Sequence, residues 1–377
     1  MRVEVCEAIE EIDAGRWNRL VRDNDPFLKH QFLAALERHG CVSKGFGWSP
    51  RHLLLWQGDD LLAAAPLYLK WNSYGEFVFD HAWADAYARQ GLAYYPKLVG
   101  AIPYTPANGQ RLLVAPGVEA RPLRSRLLQR ALELAGELGL SSLHWLFVTA
   151  EEAEQMTAEG FGQRLGVQFH WHNQGYREFD DFLSRLTAKR RKNIRRERRL
   201  VAQAGLRVRL LHGPQVTEQE WARFAAFYAK TFEERMSLPT LNQGFFSEIG
   251  RTLGEQVILV LGYDGGETVA GALMLRSDTT LYGRHWGCKR EYDSLHFEAC
   301  YYQGIEYAIA HRLDCFEPGA QGEHKIWRGF MPTLTYSQHW IAHPGMRVAI
   351  EDFLRREGPA VRHYHSQLLG SSPYRGQ

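Results

Sequence analysis

Apolar and polar positions follow an order that occurs twice along the chain. A short strand at 2–6 and a helical region over 17–39 come first. Apolar runs at 51–56 and 61–69 then flank Gln57-Gly58-Asp59-Asp60. Two such runs around a Gly-Asp turn predict a β-hairpin. A third strand is expected at 76–80. Leu123, Leu127, Leu128, Ala131, Leu134 and Leu138 recur at helical spacing and predict a helix over 122–138, with a strand at 142–148 after it. The second half starts again with a strand at 206–211. Thr217 and Glu220 form a capping box that opens a helix over 217–234. Strands at 257–263 and 268–276 flank Asp264-Gly265-Gly266, and a third is expected at 280–286. A helix over 297–310, strands at 313–317 and 337–343, and a helix over 346–357 complete the pattern.

Each half therefore reads as strand, helices, hairpin, helix, strand. This order predicts mixed sheets with helices packed on them, an α/β (α+β mixed) class. Its recurrence predicts two related domains in tandem. Gly160, Gly162, Gly166 and Gly175 interrupt any long element between them, so the domains are expected at 1–165 and 166–377.

Charge sharpens the picture. The chain has 377 residues and a formal net charge of only +2. Residues 189–199, KRRKNIRRERR, hold eight basic residues and one acid, a local charge of +7 that leaves −5 for the rest. No Gly or Pro interrupts 180–204, which is expected to be one basic helix. Either the run is a solvated face neutralised by nearby acids, or it holds phosphate, pyrophosphate or an RNA backbone. Arg outnumbers Lys six to two in it, which suits bidentate phosphate recognition. Arg191, Lys192 and Arg195 are its candidate contacts.

Composition excludes other classes. Aromatic residues at 12% and charged residues at 23% belong to a folded globular chain. No apolar run reaches the roughly 18 residues of a membrane span. The start, MRVEVCEAIEEID, lacks the apolar core of a secretory signal, and five scattered cysteines without CxxC spacing fit reduced thiols. A cytoplasmic location is expected. His170-Trp171-His172 and His363-Tyr364-His365 lack a third ligand at a telling spacing, so no metal is expected.

Several stretches carry a family resemblance. AKRRKNIRRERRLVAQAGLRVRLL and WARFAAFYAKTFEERM resemble the basic helix, strand and next helix of FemAB-type transferases. SPRHLLLW, DHAWADAYARQGLAYYPKL, IPYTPANGQRLL, LHFEACYYQGIEYAI and FEPGAQGEHKIWRGFMPTLTYSQHW are similar to the FemAB-like predicted N-acyltransferases. The resemblance covers nearly the whole chain. It implies two tandem GNAT-like domains and acyl or aminoacyl transfer from acyl-CoA or aminoacyl-tRNA to an amine, such as that of a muropeptide cell-wall precursor. One departure stands out. Acetyl-CoA-using GNAT domains carry a glycine-rich turn before the central helix, whose N–H groups hold pyrophosphate. Residues 287–296 lack that spacing, leaving Lys289 and Arg290 as candidate phosphate ligands.

Acyl transfer to an amine requires a neutral amine, aligned reactants and stabilisation of the carbonyl oxygen. The 316–325 loop follows a core strand and gathers Glu317, Gln321, Glu323, His324 and Lys325. Glu323 is expected as general base and Lys325 as carbonyl or phosphate stabiliser, with Arg328 as a further anion contact. A mixed-charge surface loop is the alternative. His285 and Trp286 lie on the strand against which GNAT domains hold the donor acyl group; His285 is either a proton shuttle or a structural histidine. In the first half, Asp80, His81, Trp83, Tyr87, Tyr95, Lys97 and Tyr104 form either an aromatic acceptor pocket or a well-packed pair of loops, and Lys97 is a candidate for an acceptor phosphate. A non-catalytic protein that recognises peptidoglycan precursors or RNA is the competing reading.

Overall fold

The fold is that of a computed structural model, which describes residues 1–320 and 322–376. The chain divides into two compact units, Met1–Val167 with Leu334–Tyr364, and Gln168–Thr333 with His365–Gln377. The first crossing falls two residues beyond the expected 165/166 boundary. The second was not foreseen: residues 334–364, expected in the second domain, pack in the first unit, where Ile341, Met346, Ile350 and Leu354 share a core cluster with Trp83, Tyr87 and Tyr94. The glycines at 162 and 166 do not break the chain either, since Gly162–His172 is one strand.

The first unit holds an antiparallel sheet in the order Arg2–Cys6, His52–Gln57, Asp60–Ala65, Leu113–Val114. Pro66 has no N–H to give a ladder, and there the expected 61–69 strand splits. Its second part, Leu67–Lys70, pairs instead with Trp48–Pro50 and Lys97–Gly100. Lys97–Gly100 lies parallel to Ser142–Val148, which pairs antiparallel with residues 336–341. The helix Ala120–Glu137 lays Leu123, Leu127, Leu128, Ala131 and Leu134 into the main core, as its spacing predicts, while Leu138, expected on the same face, lies past its end and is exposed. The region expected as one helix over 17–39 is two, Ala14–Asn18 and His30–Arg38. Residues 76–80 form no strand; Phe77 has φ +60° and its ring is exposed.

In the second unit the strand order is Arg207–His212, Val257–Asp264, Glu267–Arg276, Thr280–Cys288, Cys315–Glu317 and then residues 171–172. Gly265 and Gly266 both take positive φ, the conformation that a two-residue turn needs to match strand twist. Thr217 and Glu220 exchange the expected capping bonds at the start of Glu218–Glu233, which buries Trp221, Phe224, Phe227 and Tyr228. The basic segment is two helices, Phe179–Arg185 and Ala188–Gln203. The break has a tertiary cause: Leu186 is buried and bridges to Tyr374, and the Thr187 N–H donates to Pro373 O at 2.9 Å.

Candidate functional site

In the second unit, two neighbouring strands part. Thr280, Leu281 and Tyr282 pair in parallel with Cys315, Phe316 and Glu317, and then the partner chain turns away at Pro318 while Thr280–Cys288 continues. Loops at the carboxyl ends of parallel strands are where α/β sheets hold ligands. Glycine permits the close approach here, because a Cβ on Gly283 would stand 3.2 Å from Pro318 Cα. Residues 323–328 form a short 3-10 helix that carries Lys325 back to the loop, where its Nζ donates to Gly319 O at 2.6 Å. Lys325 is only 2% exposed, and burial lowers its pKa to about 8. His324 shares a 3.0 Å hydrogen bond with the Tyr301 hydroxyl. Tyr301 lies in a π-helical turn, Glu298–Tyr302, between the α-helical pieces Leu295–Phe297 and Gln303–Ala310; such turns are frequent at functional sites.

The other residues expected here divide. Glu317 is buried beside the parting strands, and Glu323 is exposed at the start of the 3-10 helix. Gln321 lies outside the described residues. Arg328 is buried and serves the fold: it bonds Glu197 at 2.7 Å and the Tyr302 hydroxyl at 3.1 Å, and stacks 3.5 Å over Phe297. His285 packs edge-on against Tyr228 and Phe246. Burial, with Arg284 beside it, holds its imidazole neutral well below its ordinary pKa, which makes it a poor proton acceptor. Trp286 packs against the cluster of Val201, Leu206, Val269 and Leu295. Lys289 and Arg290 pair with hairpin acids, Glu267 at 2.8 Å and Asp264 at 3.7 Å.

The helix Ala188–Gln203 sorts its charges by face. Ile194 and Val201 are buried. Arg198 bonds both Glu298 and Glu306, Arg195 bonds Asp180 at 2.8 Å, Arg191 reaches Leu186 O, and Arg190 lies over the Trp327 ring. Lys189, Lys192, Arg196 and Arg199 are exposed, at spacings of three, four and three residues that place them on one stripe. Among the described residues no acid is paired with any of these four. Arg191 and Arg195, expected as phosphate contacts, are thus tied to the protein, while Lys192 stands in the stripe.

The first-unit candidates form a buried ionic network rather than an open pocket. Lys97 is fully buried, donates to Glu76 Oε2 at 2.9 Å and pairs with Asp80. Asp80 also accepts from the Tyr94 hydroxyl at 2.6 Å and from Ser73, which contacts the Tyr95 hydroxyl. Burial works against both charges, but Asp80 and Lys97 hold each other ionised, with the carboxyl shifted down and the ammonium up. Burial raises the Glu76 carboxyl to about 7, and its Oε1 has no hydrogen-bond partner among the described residues. Lys70, over the Trp48 ring at 3.8 Å, is lowered to about 7 by burial. Lys97 is therefore closed to an acceptor phosphate. Trp83 and Tyr87 are core residues, Tyr104 donates to Cys41 O at 2.8 Å, and His81 stacks on Phe79 at the surface. Ser73, Glu76 and Asp80 pin a segment whose Trp71, Tyr74, Phe77 and Phe79 side chains are exposed. Lys70, Ser73 and Glu76 were missed in sequence; for Ser73 and Glu76 the signal was the SYGEF stretch between apolar runs.

Comparison with known proteins adds to this geometry. A FemAB-like family model, described as peptidoglycan biosynthesis/recognition, matches residues 8–376. No curated protein matches the chain. Among solved structures, FemX is similar with a TM-score of 0.55 at 12% identity, over 93% of this chain and 100% of that one. The C-terminal domain of an Agrobacterium fabrum protein provisionally assigned as a lysylphosphatidylglycerol synthetase has a TM-score of 0.54 at 10% identity, covering 92% and 97%. A conserved Bacteroides thetaiotaomicron protein of unknown function has a TM-score of 0.50 at 10% identity, covering 91% and 100%. At such identities the likeness is one of fold.

Proposed function

Because the chain belongs to the FemAB-like family, described as peptidoglycan biosynthesis/recognition, we propose that it is an N-acyltransferase. It transfers an acyl or aminoacyl group from acyl-CoA or aminoacyl-tRNA to an amine, with a muropeptide cell-wall precursor as the acceptor class. The observation that carries this reading is the buried Lys325 ammonium beside the parting strands. With its pKa lowered to about 8 it is mostly protonated at neutral pH, and among the described residues only one of its three N–H donors is spent, on Gly319. A preorganised cation in a water-poor site stabilises the oxyanion that develops as the amine attacks. Glu323 takes the proton that the amine loses. The new C–N bond forms, the C–S or C–O bond to the donor breaks, and the departing sulfur or oxygen takes up a proton.

One feature bears on the donor. The stripe from Lys189 to Arg199 runs about 15 Å along its helix, longer than one pyrophosphate, which favours aminoacyl-tRNA as the donor. The first unit separately exposes the aromatics of 71–79, anchored through Ser73, Glu76 and Asp80. Glu323→Gln and Lys325→Ala should each abolish turnover while leaving the circular dichroism spectrum intact. An unchanged kcat in both variants would remove the assignment. Donor and acceptor binding without any turnover would favour the recognition protein instead.

A further inference from the structure

Three metal-ligating side chains of the second unit converge outside the residues assigned to transfer. His170 and His172 are two apart on Gly162–His172, so both side chains leave the same face of the strand. In sequence they have no third partner. The fold supplies one, because Cys315 is the antiparallel partner of His172 and opposed residues share a face. The ligand atoms of His170, His172 and Cys315 all lie within 4.8 Å of one another. Glu317, two residues beyond Cys315, brings Oε1 to 3.9 Å from His170 Nδ1.

The surroundings suit ligation. His170 is buried, and its Nε2 lies 3.1 Å from Gln168 Oε1. An amide oxygen only accepts, so Nε2 carries the proton and Nδ1 keeps its lone pair toward Glu317. A hydrogen bond on the far ring nitrogen is how proteins fix the tautomer of a ligating histidine. Cys315 is half-buried, and a divalent ion there would displace its thiol proton and offset the Glu317 charge.

We propose that His170, His172 and Cys315 form a site for a zinc-class divalent metal, with Glu317 or a water in the fourth position. Two imidazoles and a thiolate select zinc, cobalt or copper over magnesium and calcium. Tetrahedral bonds of about 2.0–2.3 Å bring ligand atoms to about 3.3–3.7 Å from one another. The exposed ring of His172 is the one placed to close that difference. The proposal does not depend on the transferase reading, although Cys315 and Glu317 also lie on the strand that borders the transfer site.

The test uses the full chain, stripped with a chelator and titrated with Co²⁺. Expected are one equivalent bound, a thiolate-to-cobalt charge-transfer band with the strong visible bands of tetrahedral cobalt, and loss of all of them when Zn²⁺ is added. Cys315→Ser should remove the charge-transfer band, His172→Ala should weaken binding at least about tenfold, the lower end for lost ligand support, and Cys288→Ser should leave both unchanged. A wild-type chain with no charge-transfer band at one equivalent overturns the proposal without recourse to any variant. So does a band that persists unaltered in Cys315→Ser.

Discussion

Neutralising the stripe of Lys189, Lys192, Arg196 and Arg199 tests how the donor is held. The four side chains are exposed, share one face and pair with no acid among the described residues, so their replacement by Gln disturbs no internal bond. Each cation that meets a phosphate releases counterions and adds about 0.9 to the slope of log K against log salt. Four contacts give a slope of about 3.6. Between 1 M and 0.15 M salt that amounts to about a thousandfold in affinity, or about fivefold for a single site. Binding of aminoacylated and uncharged tRNA to the wild type and the quadruple variant, measured by fluorescence anisotropy across a salt series, reads both quantities. The variant should lose about three to four units of slope, and the two proteins should converge near 1 M salt. A variant with unchanged slope, or with a loss independent of salt, would refute the stripe as the phosphate contact. Arg198→Gln is the contrasting case: its bonds to Glu298 and Glu306 predict lost stability with little change in slope.

Other expectations follow from the buried groups. Lys97→Met strands Asp80 and Glu76 without their cation and should cost about 3–5 kcal/mol in urea denaturation, as for other broken buried pairs; adding Asp80→Asn should recover part of it, and a loss below about 1 kcal/mol would contradict the network. If Lys325 acts as a cation, kcat/KM falls as pH rises through about 8, and Lys325→Arg removes that limb. The sign for stability is opposite. The folded pKa of about 8 lies below the ordinary 10.5, so the unfolded chain binds more protons between these values and stability from this group rises with pH there. Gly287→Ala drives a methyl into the carbonyl oxygen of Phe227 on the helix Glu218–Glu233 and should destabilise by about 1–3 kcal/mol, read from the thermal midpoint.

What was legible in the sequence was local. The Thr217–Glu220 capping box, the Gly265-Gly266 turn and the leucine face of Ala120–Glu137 are each set within a few residues, and each stands as its pattern predicts. The mixed α/β fold with its recurring hairpins was legible for the same reason. Long-range partners decided the rest. Residues 76–80 hold the short apolar run Phe77-Val78-Phe79 that suggests a strand, but Glu76 and Asp80 turn inward to Lys97 on the strand Lys97–Gly100. The 180–204 segment has no helix breaker, yet Leu186 leaves the helix to be buried against Tyr374. The basic run displays eight cations in sequence, and only the fold distinguishes those spent on Glu298, Glu306 and Asp180 from those facing solvent. His170 and His172 gain Cys315 through strand pairing that no spacing announces.

The most direct measurement of the central claim is a single-turnover transfer assay. The full chain is mixed with a radiolabelled aminoacyl-tRNA or acyl-CoA and a UDP-linked muropeptide that bears a free amine, and the muropeptide is analysed by mass spectrometry. The account predicts a new amide on that amine, formed by the wild type and absent with Lys325→Ala and Glu323→Gln. Saturated binding of donor and acceptor with no amide from any of the donors would contradict it.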